Sequence, residues 1–316
     1  MNKKKPLITV GITCFNAELT IKRAIKSAIN QDWPNLEVLI VNDCSTDNTK
    51  NIINKLCKNN NIKTFHNKKN LGCAQSRNIL IKKSKGKFIA FFDSDDFSYP
   101  NRLSLQYQRI IEYEFFSKSR LIACYASGLR IYPNGYTTKI NAVGSIYMRE
   151  VTGLAICDFL LFNNKLKNIY YGSGTPACSL MARKDTFLKV GKFDKLLSRQ
   201  EDIDFAIRLG FKGGHFIGIS DKVLNQYFFE SSKKVPLIEL NSSLRIIEKN
   251  SSYLKKKKIY DYIIKWTKLR YLHFSKKYFC ALRLLIKLFL NYPFRSFYHV
   301  FNAGFKRVLH EYKMNK

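Results

Sequence analysis

A chain of 316 residues with 46% apolar content and a net charge of +32 has enough hydrophobic material for a packed core, which excludes a disordered tail or a small disulfide-stapled module. Eight cysteines, at 14, 44, 57, 73, 124, 157, 178 and 280, form no C-x-x-C pair and have no short-range His partner. They argue against a zinc site and for reduced thiols in a cytosolic protein. The run Leu7 to Val10 after Met1-Asn2-Lys3-Lys4-Lys5-Pro6 is too short for a signal-peptide core, and no later run reaches about 18 uncharged apolar residues, the length of a membrane span.

The first hundred residues repeat one unit. Leu7 to Ile12 reads as a strand ended by Thr13-Cys14-Phe15-Asn16, and apolar residues at 21, 24, 25, 28 and 29 follow at helical spacing, with Asn16 or Thr20 as cap. Leu36 to Val41 is a second strand, with Asn42 to Asp47 as its polar exit before a helix carrying Ile52, Ile53 and Leu56. Ile62 to His66, the turn Asn70-Leu71-Gly72, a helix from Cys73 to Lys83 and a strand from Lys87 to Phe92 complete the series. Alternation at this spacing predicts parallel pairing with right-handed crossovers, so the polar exits gather on one sheet edge, where open α/β sheets bind ligands.

Pro100 suits the first turn of a helix over Asn101 to Phe116, with Ser98 as cap. Asn134-Gly135 between Leu121 to Tyr132 and Tyr136 to Ile140 predicts a hairpin. Residues 141–172 carry no clear period. Ala177 to Ala182 reads as a strand, Asp185 to Val190 as a helix stopped by Gly191, and Glu201 to Leu209 as a helix ended by Gly210. Beyond residue 230 the texture changes: residues 231–316 hold 20 Lys and Arg against 4 Asp and Glu. Ile238 to Lys249, Lys255 to Lys268 and Lys276 to Leu290 read as basic amphipathic helices, and Pro293 precedes a last stretch around Phe297 to Tyr312. A broad apolar face flanked by Arg283 and Lys287 fits a helix lying in a membrane interface, while a packed helical subdomain with a solvated charged face is the other reading.

Asp93, Asp95 and Asp96 fall within four positions at the end of the fourth strand. Such a cluster is stabilised by a hard divalent cation, Mg²⁺ or Mn²⁺. Asp43 offers an acceptor for the imide N–H of a uracil or thymine ring, and Arg77 a cation for phosphate or ribose. Taken singly, Asp43 and Ser45 are equally read as caps of the second helix, and Arg77 as the partner of a surface carboxylate. Taken jointly, they favour a nucleotide-diphosphate site. Glu201, Asp202 and Asp204 open a later helix and supply a candidate base, or simply complement its dipole. The histidines at 66, 215, 273, 299 and 310 share no motif with Cys or carboxylate and receive no site role.

Read together, Ile8 to Asn16, Val41 to Asp47, Asn70 through Asn78, Gly86 to Asp96, and Gly191-Lys192-Phe193-Asp194 with Glu201-Asp202 resemble the family 2 glycosyltransferases. The likeness runs over roughly residues 6–220. It implies an α/β GT-A fold, a Rossmann-like and mostly parallel sheet with flanking helices, followed by the basic helical extension. Residues 1–230 would be the transferase domain, with 1–98 the nucleotide-binding half and 99–230 the acceptor-binding half, and 231–316 the extension. The resemblance further implies an inverting enzyme that uses a nucleotide-sugar, UDP-linked, with Mn²⁺ or Mg²⁺ at a D-x-D motif. Asp43 would contact the base; Thr13, Phe15, Glu18 and Arg77 would line the nucleotide; Asp93 and Ser94 would reach ribose or sugar. Asp95 or Asp96 would hold the metal, and Asp202 would be the general base.

Two departures stand out. Asn42 replaces a common carboxylate, and the Gln-x-x-Arg-Trp motif of processive members is absent, which favours single additions. The expected acceptor is a glycan or lipid-linked saccharide of a bacterial surface polymer, met at the cytoplasmic face of the membrane by a peripheral protein. A catalytically silent membrane-attached scaffold is the alternative. Nucleic-acid binding leaves the acidic cluster unexplained and lacks a recognised module, so no nucleic-acid partner is expected.

Overall fold

The computed structural model describes residues 5–57, 62–146, 150–229 and 235–301 together with Met314. Its first half follows the expected alternation: β1 (Ile8–Cys14), α1 (Ile21–Ile29), β2 (Leu36–Asn42), α2 (Thr49–Cys57), β3 (Ile62–His66), α3 (Cys73–Lys83) and β4 (Phe88–Asp93). β3, β2, β1 and β4 pair in that order, all parallel, so Thr13 lies beside both Val41 and Asp93 in register. The strands read as unbroken apolar runs because both faces of the sheet are covered. Phe88, Ala90 and Phe92 enter a core with Ile21, Ile25 and Leu103 on one face. Ile89 and Phe91 enter a second core on the other, with Leu80 and Phe205.

The second half is mixed. β5 (Phe97–Ser98), α4 (Arg102–Ser117), β6 (Ile122–Ile131) and β7 (Thr137–Ile140) follow, and β6 and β7 form the expected hairpin. β8 (Val151–Thr152) and α5 (Leu154–Phe162) occupy the stretch that showed no period. The segment expected as one strand from 177 opens instead as a 3₁₀ turn, Ala177–Ser179, before β9 (Leu180–Arg183). β9 runs antiparallel to both β4 and β6 and joins the two halves of the sheet. α6 (Lys184–Val190) stops at Gly191, which adopts φ 93°. α7 (Glu201–Phe211) runs through Gly210. A Cβ there would press on Cys157 and Ile156 of α5, so this glycine serves a helix crossing and not a helix end.

β10 (His215–Tyr227) was not foreseen; it pairs parallel with β6 and is interrupted by register shifts around Lys222.

The extension forms α8 (Pro236–Lys249), α9 (Ser251–Lys256), α10 (Tyr260–Phe274), α11 (Tyr278–Asn291) and α12 (Pro293–His299). The expected helix 255–268 is thus two, parted where Lys258 takes φ 56°. Ile246, Leu254, Tyr262 and Leu288 enter the same core as Phe91 and Phe205, so these helices pack on the sheet domain. The last expected stretch, around Phe297 to Tyr312, begins inside α12, and its residues beyond Phe301, His310 among them, lie outside the described residues.

Ser98 does not cap α4. Its Oγ accepts from Arg102 Nη1 at 2.8 Å, while Arg102 Nε and Nη2 donate to Gln106 Oε1 and to Phe91 O, both at 3.1 Å. Arg102 is fully buried, and it fixes α4 to the end of β4. Arg102→Met keeps the apolar stem but strands three buried acceptors, so it should cost about 3 kcal/mol. Urea unfolding should show a lower midpoint at unchanged slope; a wild-type midpoint would contradict this role.

Candidate active site

The strand exits and the start of α7 enclose a cavity of about 480 Å³. Thr13 lies near the end of β1 and Phe15 just past it, Asp43 follows β2, and Asp93 ends β4 with Ser94 and Asp95 just past it; Arg77 rises from α3, and Gln200, Glu201 and Asp202 close the opposite side. Parallel pairing makes this convergence automatic, since every exit of β1, β2 and β4 lies on one edge.

Asp43 is buried and does not cap α2. Its carboxylate accepts from Asn67 Nδ2 at 2.7 Å and from the backbone N–H groups of Leu71 and Gly72 at 2.9 and 2.8 Å. These bonds hold the turn before α3 against the cavity. The α2 start is served by Asp47, whose Oδ1 accepts from Thr49 N at 3.0 Å. Asn16 and Thr20 make no cap for α1 either: Asn16 Oδ1 accepts from Thr46 N at 2.9 Å and braces the β1 exit to the β2 exit. Glu18 stands outside the cavity lining, with its Oε2 accepting from Asn48 N at 2.9 Å.

Arg77 forms the cavity floor. Nη2 donates to Asp93 Oδ1 at 3.1 Å and Nη1 to Glu201 Oε1, and the side chain is nearly inaccessible. Its partners are therefore site carboxylates and not surface ones. Thr13 Oγ1 lies 3.6 Å from Cys73 Sγ at the first turn of α3.

The three carboxylates of the acidic turn separate by environment. Asp95 opens on the cavity, and burial together with the adjacent Asp93 pushes its pKa up to about 6. Arg23 Nη2 donates to the Asp95 carbonyl. Asp96 points inward: it is buried, outside the lining, and close to Cys178. Burial, then Asp93 and Asp95, raise its pKa well above the usual carboxylate range. Asp93, Asp96 and Cys178 bring one ligand atom each within 4.8 Å of one another. Asp93 and Asp95 present oxygen donors to the cavity, which fits a hard divalent cation better than the thiol-bearing inner trio does.

Asp202 lies at the far wall. Its Oδ2 accepts from Ala177 N at 3.3 Å and its Oδ1 from Ile203 N at 2.8 Å. Burial first, and then the charge of Glu201, push its pKa up to about 6, while Arg77 pulls it down. Asp204, the third acid of this stretch, faces away and pairs with Arg208 at 2.8 Å and with Lys249. Two further residues carry no local signal. Gln200, in a left-handed conformation at φ 64°, donates to Glu239 Oε2 and Ser243 Oγ of α8, each at 2.9 Å. Glu239 itself lines the cavity.

A family model described as glycosyl transferase family 2 matches residues 9–175. Over 131 residues the chain is 37% identical to a chondroitin synthase of Pasteurella multocida (strain Pm70), covering 41% of this chain and 13% of that one. It is 39% identical over 114 residues to the Escherichia coli UDP-Glc:alpha-D-GlcNAc-diphosphoundecaprenol beta-1,3-glucosyltransferase WfaP, covering 36% of this chain and 45% of that one. The chain thus spans less than half the length of either relative. S. aureus TarS 1-349 in complex with UDP-GlcNAc superposes with a TM-score of 0.61 at 20% identity, covering 85% of this chain and 74% of that one. With more than half of the sequence inside the family model and the same architecture in the solved neighbour, the chain belongs to glycosyl transferase family 2 and has the GT-A fold.

Proposed function

We propose that this protein transfers one sugar, with inversion, from a UDP-sugar to a hydroxyl of a lipid-linked or glycan acceptor in the assembly of a bacterial surface polysaccharide. The observation that carries this reading is the division of labour among carboxylates around one cavity. Asp93 and Asp95 stand on one side, Asp202 on the other, and Arg77 lies between them. One relative named for UDP-Glc and a diphosphoundecaprenol-linked acceptor, and a neighbour solved with UDP-GlcNAc, support the substrate classes. Residues 1–98 would hold the nucleotide, 99–230 the acceptor side, and 231–316 a peripheral attachment at the cytoplasmic membrane face.

Thr13, Phe15 and the Asp43-braced turn bind and orient the nucleoside. Asp93 and Ser94 meet ribose or sugar, and Asp95 with Asp93 would hold Mn²⁺ or Mg²⁺. Such an ion, when bound, neutralises charge on the departing diphosphate. Asp202 accepts the proton of the acceptor hydroxyl as that oxygen attacks the anomeric carbon, and a single displacement inverts the centre. Its raised pKa suits a base that works near neutrality and remains ionised there.

Asp202→Asn should lower kcat by about 10²- to 10⁴-fold with UDP-sugar affinity unchanged by calorimetry; retained turnover would rule Asp202 out as the base. Asp95→Ala should remove the Mn²⁺-dependent part of UDP affinity in titrations with and without metal, whereas the same loss in Asp96→Ala alone would move the ion to the inner carboxylate. A base must be unprotonated, so kcat should rise as pH rises through about 6. In Glu201→Gln the charge that raises the Asp202 pKa is gone, and this limb should move to lower pH.

A further inference from the structure

α11 and α12 each have two faces. Ala281 and Leu288 of α11, and Ser296 and His299 of α12, are buried, and His299 Nδ1 lies 2.9 Å from the Tyr262 hydroxyl of α10. The outer faces are apolar as well. Phe279, Leu282, Ile286 and Leu290 recur at steps of three and four along α11 and are between 52% and 81% exposed. Phe294, Phe297 and Phe301 continue the pattern along α12 and beyond, between 64% and 89% exposed. A stripe of seven large apolar side chains on consecutive helices is more than the scatter normal for a water-exposed surface.

The charge around the stripe names its partner. Residues 262–301 contain eight Lys and Arg and no Asp or Glu. Lys276, Lys277, Arg283, Lys287 and Arg295, which border the stripe, are all exposed. We propose that the outer faces of α11 and α12 form a docking surface for an anionic lipid bilayer, with the helices in the interface plane, Phe and Leu side chains among the acyl chains, and the cations on the headgroups. A polyanion such as nucleic acid would satisfy the cations yet leave Leu282, Ile286 and Leu290 in water, whereas an anionic leaflet takes both. Among the described residues no helix is long and apolar enough to cross a membrane, which suits shallow insertion. The inner faces are committed to α10, so docking needs no unfolding. The link to catalysis rests on the reading that the acceptor is lipid-linked; the surface itself does not.

Co-sedimentation of the full chain with vesicles, without donor or acceptor, tests the surface independently of any transfer. Binding is expected to phosphatidylglycerol-containing vesicles, weakened by salt, and not to pure phosphatidylcholine. The double variant Leu282→Asp/Ile286→Asp should bind at least about a hundredfold more weakly, and Arg283→Gln/Lys287→Gln roughly fivefold more weakly per cation removed. Phe294→Ser/Phe297→Ser gives a second readout of the stripe should the first variant fold poorly. Wild-type protein that ignores phosphatidylglycerol vesicles, or stripe variants that fold and bind as wild type, would overturn the proposal. Vesicle binding by a protein that transfers no sugar would keep the surface and discard the transferase reading.

Discussion

The site depends on one buried cation. Arg77 reaches Asp93 at the end of β4 and Glu201 at the start of α7, residues 124 positions apart from it in the second case. Asp93, Asp95, Glu201 and Asp202 all line the same cavity, and without a positive charge among them their repulsion would splay the two walls. Arginine suits this place better than lysine, because its planar fork donates in two directions at once. The net gain in stability from such a buried pair is small, since desolvation offsets the attraction. What the pair fixes is geometry: it sets the distance between the wall that would hold a diphosphate and the wall that carries Asp202.

The extension contributes to the same geometry. The loop before α7 is held by a reciprocal pair of bonds, Asn78 Nδ2 to Phe193 O and Phe193 N to Asn78 Oδ1, both 2.9 Å. α8 closes over it. Lys249 donates to Asp194 at 2.9 Å and to Asp204, and Glu239 and Ser243 grip Gln200 immediately before Glu201. Residues past 235 therefore share in placing the start of α7, while α11 and α12 turn an apolar face outward. One helical region is packed on the sheet domain on its inner side and, among the described residues, unpartnered on its outer side, so packing and the proposed surface attachment are compatible uses of different faces.

Much of this was legible in the residues. The unbroken apolar runs of β1, β2 and β4, each ended by a polar turn, marked a parallel sheet with its exits on one edge, and the acids after Phe92 marked the edge where the cavity opens. Other features were hidden because tertiary partners decided them. Asn16, Thr20 and Ser98 looked like caps, but braces across the sheet edge and a buried arginine had stronger claims on Asn16 and Ser98. β10 escaped notice because Asp221 and Lys222 interrupt its apolar pattern where the register shifts. The different environments of Asp95 and Asp96 turn on which way each side chain points. Glu239 carries no signal at all, since only folding brings α8 to the cavity.

The most direct measurement is of the anomeric configuration of a transferred sugar. With a panel of UDP-sugars, Mn²⁺ and a lipid-linked saccharide acceptor, this account predicts EDTA-sensitive release of UDP from one donor. It also predicts a product whose proton NMR coupling shows the linkage inverted relative to the donor. A retained anomeric configuration would contradict the single displacement by an Asp202-activated hydroxyl, and no UDP release from any donor would contradict the transferase reading itself.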